Sequence, residues 1–265
     1  MSKNKNGSVT LVGAGPGDPE LLTLRAARAL QEADVILYDR LVAPEILDFA
    51  RRQAKRLLVG KTGYGPSCRQ DDINARMVAL ARAGKRVVRL KGGDPMIFGR
   101  ASEEIAACRA AGIAVEVVPG ITAAQGAASR LGVSLTERGL ARRVQYVTGH
   151  AANGRLPDDI DWASVADPAV TTVVYMPART LAELAARAAA AGLAASTPAL
   201  AVVRATRADE RTIAGTILDL PARLAAEADE GPMLVLMGRV LARIVAQADD
   251  ADDAAPAQTA AARVS

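Results

Sequence analysis

Short apolar runs alternate along the first 120 residues with longer segments whose apolar positions recur at helical spacing. Residues 8–13, 35–38, 57–59, 86–90 and 113–118 read as strands. Between them, 21–32 and the segment after Gln70 read as helices; Ile73, Met77 and Leu80 fall on one apolar face of the second. Ser67 with Gln70 three residues on matches a capping box, and Gly84 closes that helix. Ser102, with Glu103 and Glu104 in the first turn, starts another by cap and macrodipole, and Gly112 stops it. Thr122 reads as the N-cap of a helix to about residue 131. Strand followed by helix, five times over, predicts a parallel sheet.

The pattern changes after residue 125. Strands are expected over 144–148, 171–176, 199–203, 211–214 and 233–237, with 152–167 as loop. Thr180 and Glu183 form a capping box for a helix ending at Gly192. No helix precedes 211–214, so an antiparallel pair and a mixed sheet are expected. The fold class is therefore α/β with two α/β domains: a parallel-sheet domain over 8–125 and a mixed-sheet domain over 126–246. The Asp- and Ala-rich residues 247–265 read as a disordered tail.

Composition narrows the chemistry. The 265 residues are half hydrophobic, and only 3% are aromatic. The net charge is +4, carried mostly by arginine, with no basic block and few interleaved aromatics, so a nucleic-acid partner is not expected. Scattered guanidinium groups suit an anionic small molecule better. Two cysteines, Cys68 and Cys108, and one histidine, His150, lack metal-ligand spacing, so no metal is expected. The sparse cysteine use points to a cytoplasmic location. The polar N-terminus and the absence of a long apolar span argue against a membrane association.

The strand ends carry the candidate chemistry. Gly13-Ala14-Gly15-Pro16-Gly17-Asp18-Pro19 follows the first strand. Asp39-Arg40-Leu41 follows the second, Gly60-Lys61 the third, Lys91-Gly92-Gly93-Asp94-Pro95 the fourth and Pro119-Gly120-Ile121-Thr122-Ala123 the fifth. Carboxyl ends of parallel strands share one sheet edge, where open α/β sheets bind ligands. The first turn spaces its glycines too closely for a dinucleotide fingerprint, and its prolines remove backbone donors. Asp39 is either a group at the crevice or the cap of a helix over 44–50. Lys61 is either a cleft ammonium or a solvated loop lysine, and Thr122 is fully explained as a cap.

Taken together, these motifs, with Gln70-x-x-Ile73-Asn74, Phe98-Gly99-Arg100 and Val147-Thr148-Gly149-His150, resemble the tetrapyrrole methylases. The resemblance is dense over the first 150 residues and thinner beyond. It implies S-adenosylmethionine bound in a cleft between two α/β domains, methylation of two ring carbons of uroporphyrinogen III to give precorrin-2, and a homodimer. On it, Pro16, Gly92, Gly93, Asp94, Ile97, Thr122, Ala123, Met176 and Ala205 match cofactor-contacting positions. Asp39 matches a proton acceptor and Lys61 a proton donor. Arg40 and Arg100 are candidates for the substrate's carboxylates. Pro177 and Ala205 stand where the family commonly has glycine, and Ala101-Ser102 replaces a Gly-Gly pair. With no dehydrogenase–chelatase segment ahead of Val9, later steps are expected of other proteins. The competing expectations are a sister methylase acting on a later precursor, an NAD-dependent oxidoreductase and a binding protein without turnover. The first turn's spacing opposes the oxidoreductase, and Asp39 with Lys61 opposes the silent binder.

Overall fold

A computed structural model of the chain describes residues 7–59, 69–151, 154–227, 231–248 and 250. The chain forms two compact units: Met1–Gly126 with Thr206–Ala208, and Ala127–Ala205 with Asp209–Ser265. Among the described residues no helix is long and apolar enough to cross a membrane.

The first unit holds strands β1 (Ser8–Gly13), β2 (Val35–Tyr38), β3 (Lys55–Leu58), β4 (Arg86–Lys91) and β5 (Ala114–Val118). They form one sheet in the order β3-β2-β4-β1-β5, and every pair is parallel. Helices α1 (Leu24–Glu32), α2 (Gln70–Arg82) and α3 (Ala101–Ala110) connect its strands, and α4 (Ala123–Leu131) follows β5. Alternate residues of β4 serve opposite layers. Val88 and Leu90 pack with Ala26, Leu30 and Ile46, on α1 and the 3-10 turn Pro44–Phe49. Val87 packs with Ile73, Met77 and Ala81 of α2 and with Ala101 and Cys108 of α3. The apolar face expected from Ile73 and Met77 is therefore core.

Several expected boundaries move. The helix expected over 21–32 is a 3-10 turn, Pro19–Leu21, and then α1, because the Thr23 side chain accepts from the Ala26 N–H and starts the helix there. The expected start at Ser67 gives way to Gln70, where the Asp72 carboxylate accepts from the Arg69 N–H; Ser67 itself lies outside the described residues. Helix α3 begins at Ala101, not at a Ser102 cap, because Arg100 takes φ +55 and turns the chain one residue earlier.

The second unit holds β6 (Arg143–Thr148), β7 (Val170–Tyr175), β8 (Pro198–Val203), β9 (Arg211–Thr216) and β10 (Met233–Met237). The order is β6-β7-β10-β8-β9. The β6–β7 pair is parallel and the others are antiparallel, so the mixed sheet is as expected. Its core gathers Val174, Leu184, Ala188, Ala201, Leu220 and Val235 around α6 (Leu181–Ala190) and α7 (Leu220–Glu227). Two helices between strands were not expected. One is α5 (Trp162–Ala166), in the segment read as loop, capped by Asp161 on the Ser164 N–H. The other is α7, whose start is set by Asp219 bonding the Thr216 N–H. The Thr180 capping box does not form. The Thr180 hydroxyl donates to the Gly149 carbonyl instead. Residues 242–248, where no helix was expected, are also helical, so residues 247 and 248 of the expected tail belong to a helix; residues 251–265 lie outside the described residues.

Candidate active site

The strand order puts the ends of β4 and β1 side by side, with β2 beyond β4 and β5 beyond β1. Each of these four neighbours in the sheet is followed by one of the loops singled out above. Gly93 N–H donates to the Gly15 carbonyl at 2.7 Å, and Gly15 N–H to the Gly93 carbonyl at 3.2 Å. The Asp94 carboxylate accepts from Met96 N–H at 2.7 Å and from Gly120 N–H at 3.0 Å, which ties the loop after β4 to the loop after β5. A Cβ on Gly120 would lie 2.3 Å from the Gly93 carbonyl, and one on Gly13 2.5 Å from the Gly120 nitrogen. Three loops thus meet backbone to backbone, a contact that only glycine permits.

Gly92 serves a different neighbour. A Cβ there would sit 2.7 Å from the Leu41 Cβ, so Gly92 makes room for the chain leaving Asp39. Gly93 has φ +66, and a Cβ on it would meet nothing nearer than 3.8 Å. Ile97 belongs to the same loop, its N–H on the Asp94 carbonyl. Pro16 lies over the first turn of α4: a Cβ on Gly126 would come 2.6 Å from its Cγ. Thr122 is a cap, its hydroxyl accepting from Gln125 N–H, with Ala123 next to it as the first residue of α4. Pro16, Gly92, Gly93, Asp94, Ile97, Thr122 and Ala123 are therefore gathered on one edge of the first unit. Lys61 lies outside the described residues.

Met176 and Ala205 belong to the second unit. Tyr175 and Val203 pair with Leu234 and Met233, so Met176 and Ala205 follow two strands that end on either side of the start of β10. Ala205 is buried and Met176 exposed. Among the described residues, the non-glycine residues at positive φ are Phe98, Arg100, Met176, Arg204 and Thr206. All five lie in, or directly beside, positions that the sequence singles out, and such backbone strain concentrates at functional sites.

Asp39 is not the cap of the 44–49 turn. One carboxylate oxygen accepts from Leu41 N–H at 3.1 Å and the other from Arg89 Nη2 at 3.2 Å. Arg89 Nε donates to Glu104 Oε1 at 2.9 Å, and Lys91 Nζ lies 3.1 Å from both Glu104 oxygens. Gln70 Nε2 also reaches Glu104, at 3.2 Å. Burial pushes the Lys91 ammonium down from its ordinary pKa, and the neighbouring Arg89 charge adds to this; Glu104 opposes both. Sequence reading assigned Glu104 to the helix macrodipole and missed this cluster. Two signals could have found it. Arg89 and Lys91 alternate on one face of a strand read as buried, and Glu104 shares the inward stripe of α3 with Ala101 and Cys108. The other first-turn glutamate, Glu103, is exposed and holds Arg100 by two bonds of 2.7 and 2.8 Å. These bonds push the guanidinium pKa up and the Glu103 carboxyl down. Arg40 is exposed.

Among the described residues, no group of three or more His, Cys, Asp or Glu is placed to hold a metal ion.

Comparison with known proteins adds a family. The model of the Tetrapyrrole (Corrin/Porphyrin) Methylases matches residues 8–221. A siroheme synthase from Chromobacterium violaceum is 52% identical over 238 residues, covering 90% of this chain and 50% of the relative. The chain thus spans about half the length of the curated relatives it matches. A crystal structure of uroporphyrin-III C-methyltransferase from Thermus thermophilus, complexed with S-adenyl homocysteine, is similar with a TM-score of 0.75 and 40% identity. That match covers 89% of this chain and 99% of the other. A cobalt precorrin-4 methyltransferase of cobalamin biosynthesis is similar with a TM-score of 0.80 and 26% identity, covering 91% and 98%.

Proposed function

The chain belongs to the tetrapyrrole methylase family, and we propose that it is a uroporphyrinogen-III C-methyltransferase. It moves methyl groups from S-adenosylmethionine to two ring carbons, giving precorrin-2 by way of precorrin-1 for sirohaem or cobalamin synthesis. The observation that carries this reading is the edge of the first unit, where Asp94 joins two strand-end loops and the Gly15–Gly93 pair joins a third.

The residues present fit the co-substrate. S-adenosylmethionine is a cation with an adenine, a ribose and an amino-acid head, so it needs backbone donors and acceptors more than bulky side chains. Gly93 and Ala123 offer little side chain, and the neighbour nearest a Cβ on Gly93 is the Ala123 nitrogen. When bound, it supplies an electrophilic methyl on a sulfonium. In this reading Pro16, Gly92, Gly93, Asp94, Ile97, Thr122, Ala123, Met176 and Ala205 are the residues that hold it. A fixed edge contributes by orientation, since transfer needs the acceptor carbon in line. The methylated carbon must then lose a proton, and Asp39 takes it. Lys61 returns a proton, and Arg40 and Arg100 bind substrate carboxylates. A homodimer in the cytoplasm, with no nucleic acid, metal or membrane partner, completes the proposal.

Calorimetric titration with S-adenosylhomocysteine tests the co-substrate site. The wild type is expected to bind it, and Asp94→Ala to bind at least about tenfold more weakly, about 1.4 kcal/mol. Binding of NAD without S-adenosylhomocysteine contradicts the proposal.

A further inference from the structure

We propose that Glu104 is a positioning residue for Asp39, acting through Arg89, with Lys91 as its counter-charge. This rests on the reading of Asp39 as the proton acceptor.

The four side chains run from the interior to the sheet edge. Glu104 is fully buried, the side chains of Arg89 and Lys91 are 5% and 7% exposed, and that of Asp39 is 22% exposed. Only the last member reaches solvent. Each direction of the Arg89 fork is used: Nε on Glu104, Nη1 on the Leu90 carbonyl at 2.9 Å, and Nη2 on Asp39. A planar guanidinium fixed at two corners can aim its third; a lysine ammonium has no such fixed geometry. Glu104 is itself fixed by Lys91 and Gln70. The far oxygen of Asp39 is bound by the Leu41 N–H. Among the described residues, both carboxylate oxygens thus have a set donor.

Stability does not account for the cluster. Burying charges is costly, and apolar residues of similar volume often stabilise as well or better. The sheet face around Arg89 and Lys91 is otherwise apolar, built from Val87, Leu37 and Leu11 with Met77 and Ala101. Two cations and an anion interrupt it at the one place where the chain of contacts ends on Asp39.

The test compares Glu104→Gln, Arg89→Lys, Asp39→Asn and the double variants Glu104→Gln/Lys91→Met and Arg89→Lys/Glu104→Gln. Read-outs are anaerobic turnover, S-adenosylhomocysteine affinity and melting temperature. E104Q is expected to lose about tenfold or more in turnover with affinity within about twofold. The E104Q/K91M double variant removes one buried anion and one buried cation and leaves Arg89 paired with Asp39, so its melting temperature recovers while its turnover stays low. R89K combined with E104Q loses no more than the worse of the two singles, because both act through one chain of contacts. Recovery of turnover together with stability in E104Q/K91M overturns the proposal, because Glu104 is then structural only. E104Q turnover within about twofold of wild type also overturns it, as do multiplicative losses with R89K. Asp39→Asn at the wild-type rate overturns the reading of Asp39 and this proposal together. Loss in D39N with none in E104Q overturns this proposal alone.

Discussion

Gly15 and Gly93 exchange two backbone hydrogen bonds across the point where the strand order of the first sheet reverses. Both have positive φ, and the pair fixes how far the loops after β1 and β4 stand apart. Open α/β sheets place ligands at such a switch point.

Glycine substitutions on this edge should differ sharply. Gly93→Ala meets no neighbour nearer than 3.8 Å, so its cost is the backbone conformation alone, about 1–2 kcal/mol. Gly120→Ala drives a Cβ to 2.3 Å from the Gly93 carbonyl and must push the loops apart. Urea unfolding of the two variants should show the larger loss in G120A. The same variant should lose more than about tenfold in S-adenosylhomocysteine affinity, about 1.4 kcal/mol.

Arg100 and Arg40 should separate substrate binding from stability. The Arg100–Glu103 pair is exposed, and such pairs are worth about 0–1 kcal/mol. Arg100→Ala and Arg40→Ala are therefore expected to leave the melting temperature nearly unchanged. Each should raise KM for the porphyrinogen by about tenfold, about 1.4 kcal/mol of lost binding, with S-adenosylhomocysteine affinity intact. An unchanged KM removes that arginine from the substrate site.

The opposite edge of the same sheet should set its acid stability. The Arg86 backbone N–H and side chain, with Arg51, hold the Asp34 carboxyl down to about 2. Its unfolded value is about 3.9. The folded state thus gains stability that is complete at neutral pH and is lost as pH falls from about 5 to about 2. Asp34→Asn should be less stable than wild type by about 1–2 kcal/mol at pH 7. It should approach wild type near pH 2, as read by urea melts at both pH values. S-adenosylhomocysteine affinity should stay the same, because Asp34 precedes β2 and Asp39 follows it.

Much of this was legible in the residues. Strand–loop–helix order placed Gly13, Asp39, Gly92 and Pro119 on one sheet edge, and the helix face of Ile73 and Met77 was read correctly. What stayed hidden were contacts between residues distant in sequence. Glu104 in a first helical turn looks like a macrodipole partner, and only the packing of α3 on β4 shows it buried against Arg89 and Lys91. Thr180 has the sequence of a cap, yet a carbonyl 31 residues away takes its hydroxyl. Helix α7 escaped notice because Pro221 stands in its first turn, where proline reads as a breaker although a first turn tolerates it.

The central claim is double C-methylation, and it is tested most directly by anaerobic incubation of the protein with S-adenosylmethionine and uroporphyrinogen III, followed by product mass. Expected is a product heavier by two methyl groups, preceded by one heavier by a single methyl. No methylated product from uroporphyrinogen III, with transfer to an already methylated corrin precursor or to none, contradicts it.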